Sequence, residues 1–137
     1  MNQIVTEYYD TLNKHEDFES FLSFYDEQIV LEDIINGDRI VGKEALRKFF
    51  DWDNPDLKIL DTNNLIVDQK IIEDRTSVVT GHFNKFQWGQ TIYGPMHFTT
   101  ILTFNTSGKI IKQVDWINYP SNLVNYNERK NSNEWID

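Results

Sequence analysis

The chain has 137 residues and no cysteine, which excludes disulfides and thiol chemistry. With 39% hydrophobic and 14% aromatic residues it has the composition of one globular domain, not of a disordered chain. A net charge of −9 argues against nucleic acid and against anionic membrane surfaces, since both attract clustered Lys and Arg.

The N-terminal MNQIVTEYY lacks the basic and apolar regions of a signal peptide, and no apolar run reaches membrane-spanning length, so the expected location is the cytoplasm. Ile4, Val5, Tyr8, Tyr9 and Leu12 recur at helical spacing and predict an amphipathic helix over residues 3–14. Asp17 is a suitable N-cap for a short second helix with Phe18, Phe21, Leu22 and Tyr25 as its apolar stripe. A strand over about 28–34 follows, then the turn Asn36-Gly37-Asp38. A third helix over about 43–51 turns Ala45, Leu46, Phe49 and Phe50 inward.

Beyond Leu57 the pattern becomes one of strands, over residues 57–68, 75–86, 96–105 and 109–119, each rich in Val, Ile, Thr and Phe. Helices followed by hairpin-linked strands predict an α+β fold with the helices on one face of an antiparallel sheet. Residues 1–121 form the expected domain, and residues 122–137 a polar tail anchored by Trp135 and Ile136.

Within the first strand, Ile29, Leu31 and Asp33 share one face, and a carboxylate buried among aliphatic neighbours has its pKa raised toward that of a useful general base. The opposite phase, with Val30, Glu32 and Ile34 inward and Asp33 solvated, fits the same alternation. No P-loop, dinucleotide fingerprint, HExxH or nucleophile elbow is present. His15, His82 and His97 lack ligand-like spacing, so no metal is expected, and His15 at a polar helix end reads as a surface residue. What is left is acid–base chemistry by carboxylates and tyrosines, without a cofactor, or binding without chemistry.

Tyr9 and Tyr25, separated by fifteen residues and followed by a strand ending in Glu32-Asp33, resemble the ketosteroid-isomerase pattern of the nuclear transport factor 2-like superfamily. The segment FTTILTFNTSGKIIKQVDWINY is similar to the end of the SnoaL-like pattern. The resemblance covers residues 3–119 and implies a cone-shaped, cystatin-like fold whose strongly curved sheet and helices enclose a cavity. It also implies that Asp33 is the proton-shuttling carboxylate and Tyr9 the oxyanion-stabilising tyrosine. Thr100 then stands where the isomerase has a protonated acid, and its hydroxyl is a weaker hydrogen-bond donor than a neutral carboxylic acid.

With Thr100 facing the cavity, alternation turns Phe98 and Leu102 the same way, and Gln113, Asp115 and Ile117 inward on the next strand. Asp115 would then be a second cavity carboxylate, and two carboxylates in one pocket drive their pKa values apart. Alternatively, Asp115 pairs with Lys112 or Arg129. Phe83, Phe98, Leu31 and Ile117 suit an apolar, ring-shaped ligand, and Trp52 and Trp88 either rim a cavity mouth or cover the core. His82 and His97 fall on the outer sheet face with Val78, Thr99, Ile101, Val114 and Trp116, a face apolar enough to call for a homodimer. The expected function is that of a small-molecule-binding domain, as a cofactor-free isomerase, cyclase or dehydratase acting on an apolar carbonyl compound. The alternative is a binding or protein-interaction module without catalysis.

Overall fold

The structure is a computed structural model and describes residues 1–124 and 130–137. Helix α1 (Asn2–Lys14) buries Val5, Tyr8 and Tyr9, one stripe of its 3.6-residue period. Helix α2 (Phe18–Leu22) starts where the Asp17 carboxylate accepts the Ser20 N–H at 3.0 Å. Strand β1 (Tyr25–Asp33) turns through residues 34–37 into β2 (Asp38–Val41). Helix α3 (Lys43–Phe50) packs on this hairpin and buries Leu46.

The remaining strands are β3 (Leu57–Ile59), β4 (Leu65–Glu73), β5 (Thr76–Phe83), β6 (Phe86–Trp88), β7 (Thr91–Tyr93), β8 (Met96–Phe104) and β9 (Ile110–Ile117). Four of them join β1 and β2 in one six-stranded sheet of order β2-β1-β9-β8-β5-β4, antiparallel except for the β1–β9 pair. A small sheet of β3, β6 and β7 closes one end. The result is the expected cone-shaped α+β fold, helices on the concave side of a curved, mostly antiparallel sheet.

Part of that curvature is visible at Gly81. An added Cβ there would fall 2.1 Å from the Ile66 carbonyl oxygen and against the Phe98 ring. Opposite it, β4 carries a bulge between Val67 and Gln69. A glycine facing a bulge lets the two strands bend together over the core.

Several boundaries differ from the sequence reading. Helix α2 ends at Leu22, so Tyr25, expected on its apolar stripe, opens β1 instead. The stretch 57–68 is not one strand: it breaks at residues 60–64, so β3 joins the small sheet and β4 the large one. Likewise 75–86 divides into β5 and β6, because Trp88-Gly89-Gln90 closes a tight hairpin with Trp88 opposite Thr91. Strand β2, too short and half-polar to show a period, was not anticipated at all.

The phase of β1 is settled: Ile29, Leu31 and Asp33 point into the core. Glu32, on the outer face, receives Arg39 at 3.1 Å and Lys112 at 3.2 Å. The outer sheet face leaves Trp116 48% exposed in the single chain. In the tail, Lys130 pairs with Asp38 at 2.7 Å, Ser132 donates to the Ile34 carbonyl at 2.8 Å, and the Trp135 ring lies 4.9 Å from the Arg39 guanidinium. Ile136 is 76% exposed and anchors nothing, contrary to expectation, because the chain turns it outward after the last short 3-10 turn.

Candidate functional site

Between α1, the end of α2 and the concave face of the large sheet lies a cavity of about 230 Å³. That is just below the ~300–1,000 Å³ typical of pockets for drug-sized ligands, room for one or two rings. Its wall is largely aromatic, with Tyr8, Phe21, Phe50 and Phe86 beside the anticipated Trp52, Phe83 and Phe98. Ile117, Thr100, Gln113, Asp115 and Tyr9 line it as well.

Alternation explains the polar group on its floor. Thr100 of β8 pairs with Asp115 of β9, so their side chains leave the sheet on the same side, and Gln113 follows Asp115 by one period. The Thr100 hydroxyl donates to Asp115 Oδ1 at 2.8 Å, and Gln113 Nε2 lies 3.1 Å from each carboxylate oxygen. Gln113 in turn accepts the Tyr25 hydroxyl at 2.6 Å. Since Tyr25 has a single hydroxyl proton, the Tyr8 hydroxyl at 2.7 Å must be the donor to it. Every donor in this buried chain, from Tyr8 through Tyr25 and Gln113, therefore points toward Asp115.

Burial pushes the Asp115 carboxyl up to about 6, against the opposing pull of the Gln113 and Thr100 donors. Such a group exchanges its proton near neutrality. Lys112, one suggested partner, faces the other side of the sheet on Glu32, and Arg129 lies outside the described residues. The Tyr9 hydroxyl is buried beside Thr100 without a hydrogen-bond partner among the described residues, and burial holds its pKa well above the ordinary tyrosine value. A protonated phenol beside Thr100 in a cavity wall can donate a hydrogen bond to an acceptor placed there.

Asp33 and Leu31 are not on the cavity wall. Leu31 is fully buried in the core of β1, the strand on which α3 packs. Asp33 sits beside Asp115 in register on the neighbouring strand, but at the end of β1, where its carboxylate is already engaged. It accepts the Tyr119 hydroxyl at 2.5 Å and the Asn36 N–H at 3.1 Å. Burial raises its pKa, and these two bonds act against the rise. Tyr119 was missed, although the alternation Gln113, Asp115, Ile117 extends directly to it.

His15 is corrected more sharply. It is half-buried in the cavity wall, with its ring stacked on Trp52 at 4.0 Å, because a left-handed backbone at the end of α1 turns the side chain back under the helix. His97 is exposed on the outer face, and His82 there approaches Asp68 at 3.6 Å. Trp88 is not part of the wall and is exposed on β6. Among the described residues no cluster of His, Asp and Glu is arranged to hold a metal ion, and no helix is long and apolar enough to cross a membrane.

The sequence profile of the SnoaL-like domain matches residues 5–113. No curated protein sequence matches significantly. Among solved structures, the chain is similar to a proposed SnoaL-like polyketide cyclase from Shewanella putrefaciens, with TM-score 0.71 and 17% identity over 86% of this chain and 89% of that one. It is similar to a nuclear transport factor 2-like protein of unknown function from Burkholderia xenovorans, with TM-score 0.66 and 14% identity over 93% and 90%. TerC, co-crystallised with polyporic acid, superimposes with TM-score 0.65 and 15% identity over 85% and 89%.

Proposed function

Because this chain belongs to the SnoaL-like domain family, within the nuclear transport factor 2-like superfamily, we propose that its cavity binds a small, largely apolar carbonyl compound on which Asp115 moves a proton. The observation that carries this reading is a fully buried carboxylate in an aromatic cavity, its pKa pushed up to about 6 and its oxygens steadied by Thr100 and Gln113. A polyketide cyclase assignment for one fold neighbour, and polyporic acid co-crystallised with another, support a small organic ligand.

In this mechanism Asp115 accepts a proton from the carbon next to the carbonyl. The Tyr9 hydroxyl, which has no hydrogen-bond acceptor among the described residues, donates to the enolate oxygen that forms. Return of the proton from Asp115 to another carbon isomerises the compound, and expulsion of a β-hydroxyl as water dehydrates it. Asp33, its oxygens already taken by Tyr119 and Asn36, stands behind Asp115 and is not the shuttle. The residues suffice for cofactor-independent chemistry of the isomerase or lyase kind.

The test is exchange of α-protons of 2-tetralone for deuterium, followed by NMR. The wild-type protein accelerates exchange, with a rate that rises through pH 6, and Asp115→Asn abolishes the acceleration. Undiminished exchange in Asp115→Asn overturns the mechanism. Saturable binding without exchange in the wild type instead supports the binding-module reading, which is favoured by one feature: only one of the two carboxylates reaches the cavity. We further propose a homodimer through the outer sheet face around Ile101, Val114 and Trp116. A monomeric mass at micromolar concentration by sedimentation velocity would exclude it.

A further inference from the structure

His15 ends α1 with φ 54° and ψ 36°, at the C-cap position where glycine or asparagine relieves the left-handed backbone. Its backbone N–H reaches the Thr11 carbonyl at 3.1 Å, a bond glycine would make with less strain. The imidazole therefore contributes something other than capping. It stacks on Trp52, lines the cavity, and has neither a protein partner among the described residues nor solvent at either ring nitrogen. Strain and two unpaired buried polar atoms in one residue of a cavity wall destabilise the empty protein, and such features concentrate where a ligand is received.

The position on α1 supplies a geometry. Tyr9, Leu12 and His15 all line the cavity and follow one another at three-residue spacing. At about 1.5 Å rise per residue, His15 lies roughly 9 Å along the helix axis from Tyr9. One helix face thus presents a hydroxyl, an apolar middle and an imidazole in sequence.

We propose that His15 is a second polar anchor of the cavity, its imidazole turning to bring a ring nitrogen, closed to solvent in this structure, onto a hydroxyl or carbonyl group at the ligand end remote from Asp115. Burial makes this imidazole less basic than usual, so its neutral form both donates and accepts and suits an uncharged group. The inference rests on the cavity being a small-molecule site, and it deepens that reading by adding a class of ligand: elongated, apolar in the middle and polar at both ends.

Isothermal titration calorimetry with 2-naphthol and 2,6-dihydroxynaphthalene tests it on the wild type, His15→Phe and His15→Gly. The phenylalanine keeps a ring for Trp52 to stack on, and the glycine is at ease in the left-handed backbone, so the two variants challenge folding in different ways. The wild type should bind the diol about tenfold more tightly than the mono-ol, the worth of one net hydrogen bond. In both variants the ratio of the two affinities should fall to about one, whatever happens to their absolute values. A wild type without preference, or a preference that survives in both variants, overturns the role of His15 and leaves the cavity reading standing. If neither naphthol binds the wild type, the cavity reading falls and this inference with it.

Discussion

Asp33 and Asp115 occupy matching positions on adjacent parallel strands, both nearly inaccessible to water. At the end of β1, Asp33 is closed in by a phenol and a turn N–H. In the middle of the concave face, Asp115 has a hydroxyl and an amide on its flanks and the cavity before it. Burial raises both, yet of the two only Asp115 lines the cavity. The difference teaches that strand phase decides whether a carboxylate is buried, while distance along the strand decides whether it is available.

The largest expected effect would break the comparison outright. Asp115→Asn should slow 2-tetralone exchange by about 100-fold or more, the usual scale of general acid–base catalysis, whereas Asp33→Asn should slow it by less than about tenfold. Equal losses in the two variants, read by NMR, would make them one functional unit. Next comes the chain of donors behind Asp115. Tyr25→Phe leaves the Tyr8 hydroxyl and Gln113 Oε1 without their buried partner, and urea denaturation should record a loss of about 2–3 kcal/mol.

A smaller effect has a definite sign. Between its ordinary value of 3.8 and its folded value of about 6, Asp115 binds more protons in the folded than in the unfolded chain. Its contribution therefore favours folding at low pH and is lost as pH rises through that window. Relative to the wild type, Asp115→Asn should gain on the order of 1–3 kcal/mol at pH 8 compared with pH 4, measured by denaturant midpoints at both values. The smallest change expected is in Thr100→Val. Without the Thr100 hydroxyl donor, the charged carboxylate is less stabilised, and the midpoint of the exchange–pH profile should move upward by less than about one unit.

Most of the concave face was legible in the sequence, because a period of two shows wherever one side of a strand is buried: Phe98, Thr100 and Leu102 on β8, then Gln113, Asp115 and Ile117 on β9. The α1 stripe was legible for the same reason at helical period. Asp33 was placed on the right face but not kept from the cavity, since the bond that occupies it comes from Tyr119, a residue past the end of β9. His15 was hidden by a backbone event. Nothing in a polar helix end signals that the next residue will turn left-handed and carry its ring beneath the helix. Strand β2 is short and lies at an edge, where alternation gives little signal.

The large sheet has two open margins, and the chain treats them differently. Along β4 the margin is broken by the Val67–Gln69 bulge and studded with Asp68, Lys70 and Glu73, a surface to which another strand adds poorly. At the other margin, β2 begins with Asp38 and Arg39, and there the tail docks: Lys130 on Asp38, Ser132 on the Ile34 carbonyl and Trp135 on Arg39. The last residues thus lie against the start of this margin, where another strand would otherwise meet the hairpin. A chain cut before residue 130 should aggregate faster than the full chain by light scattering, with its 2-tetralone exchange unchanged.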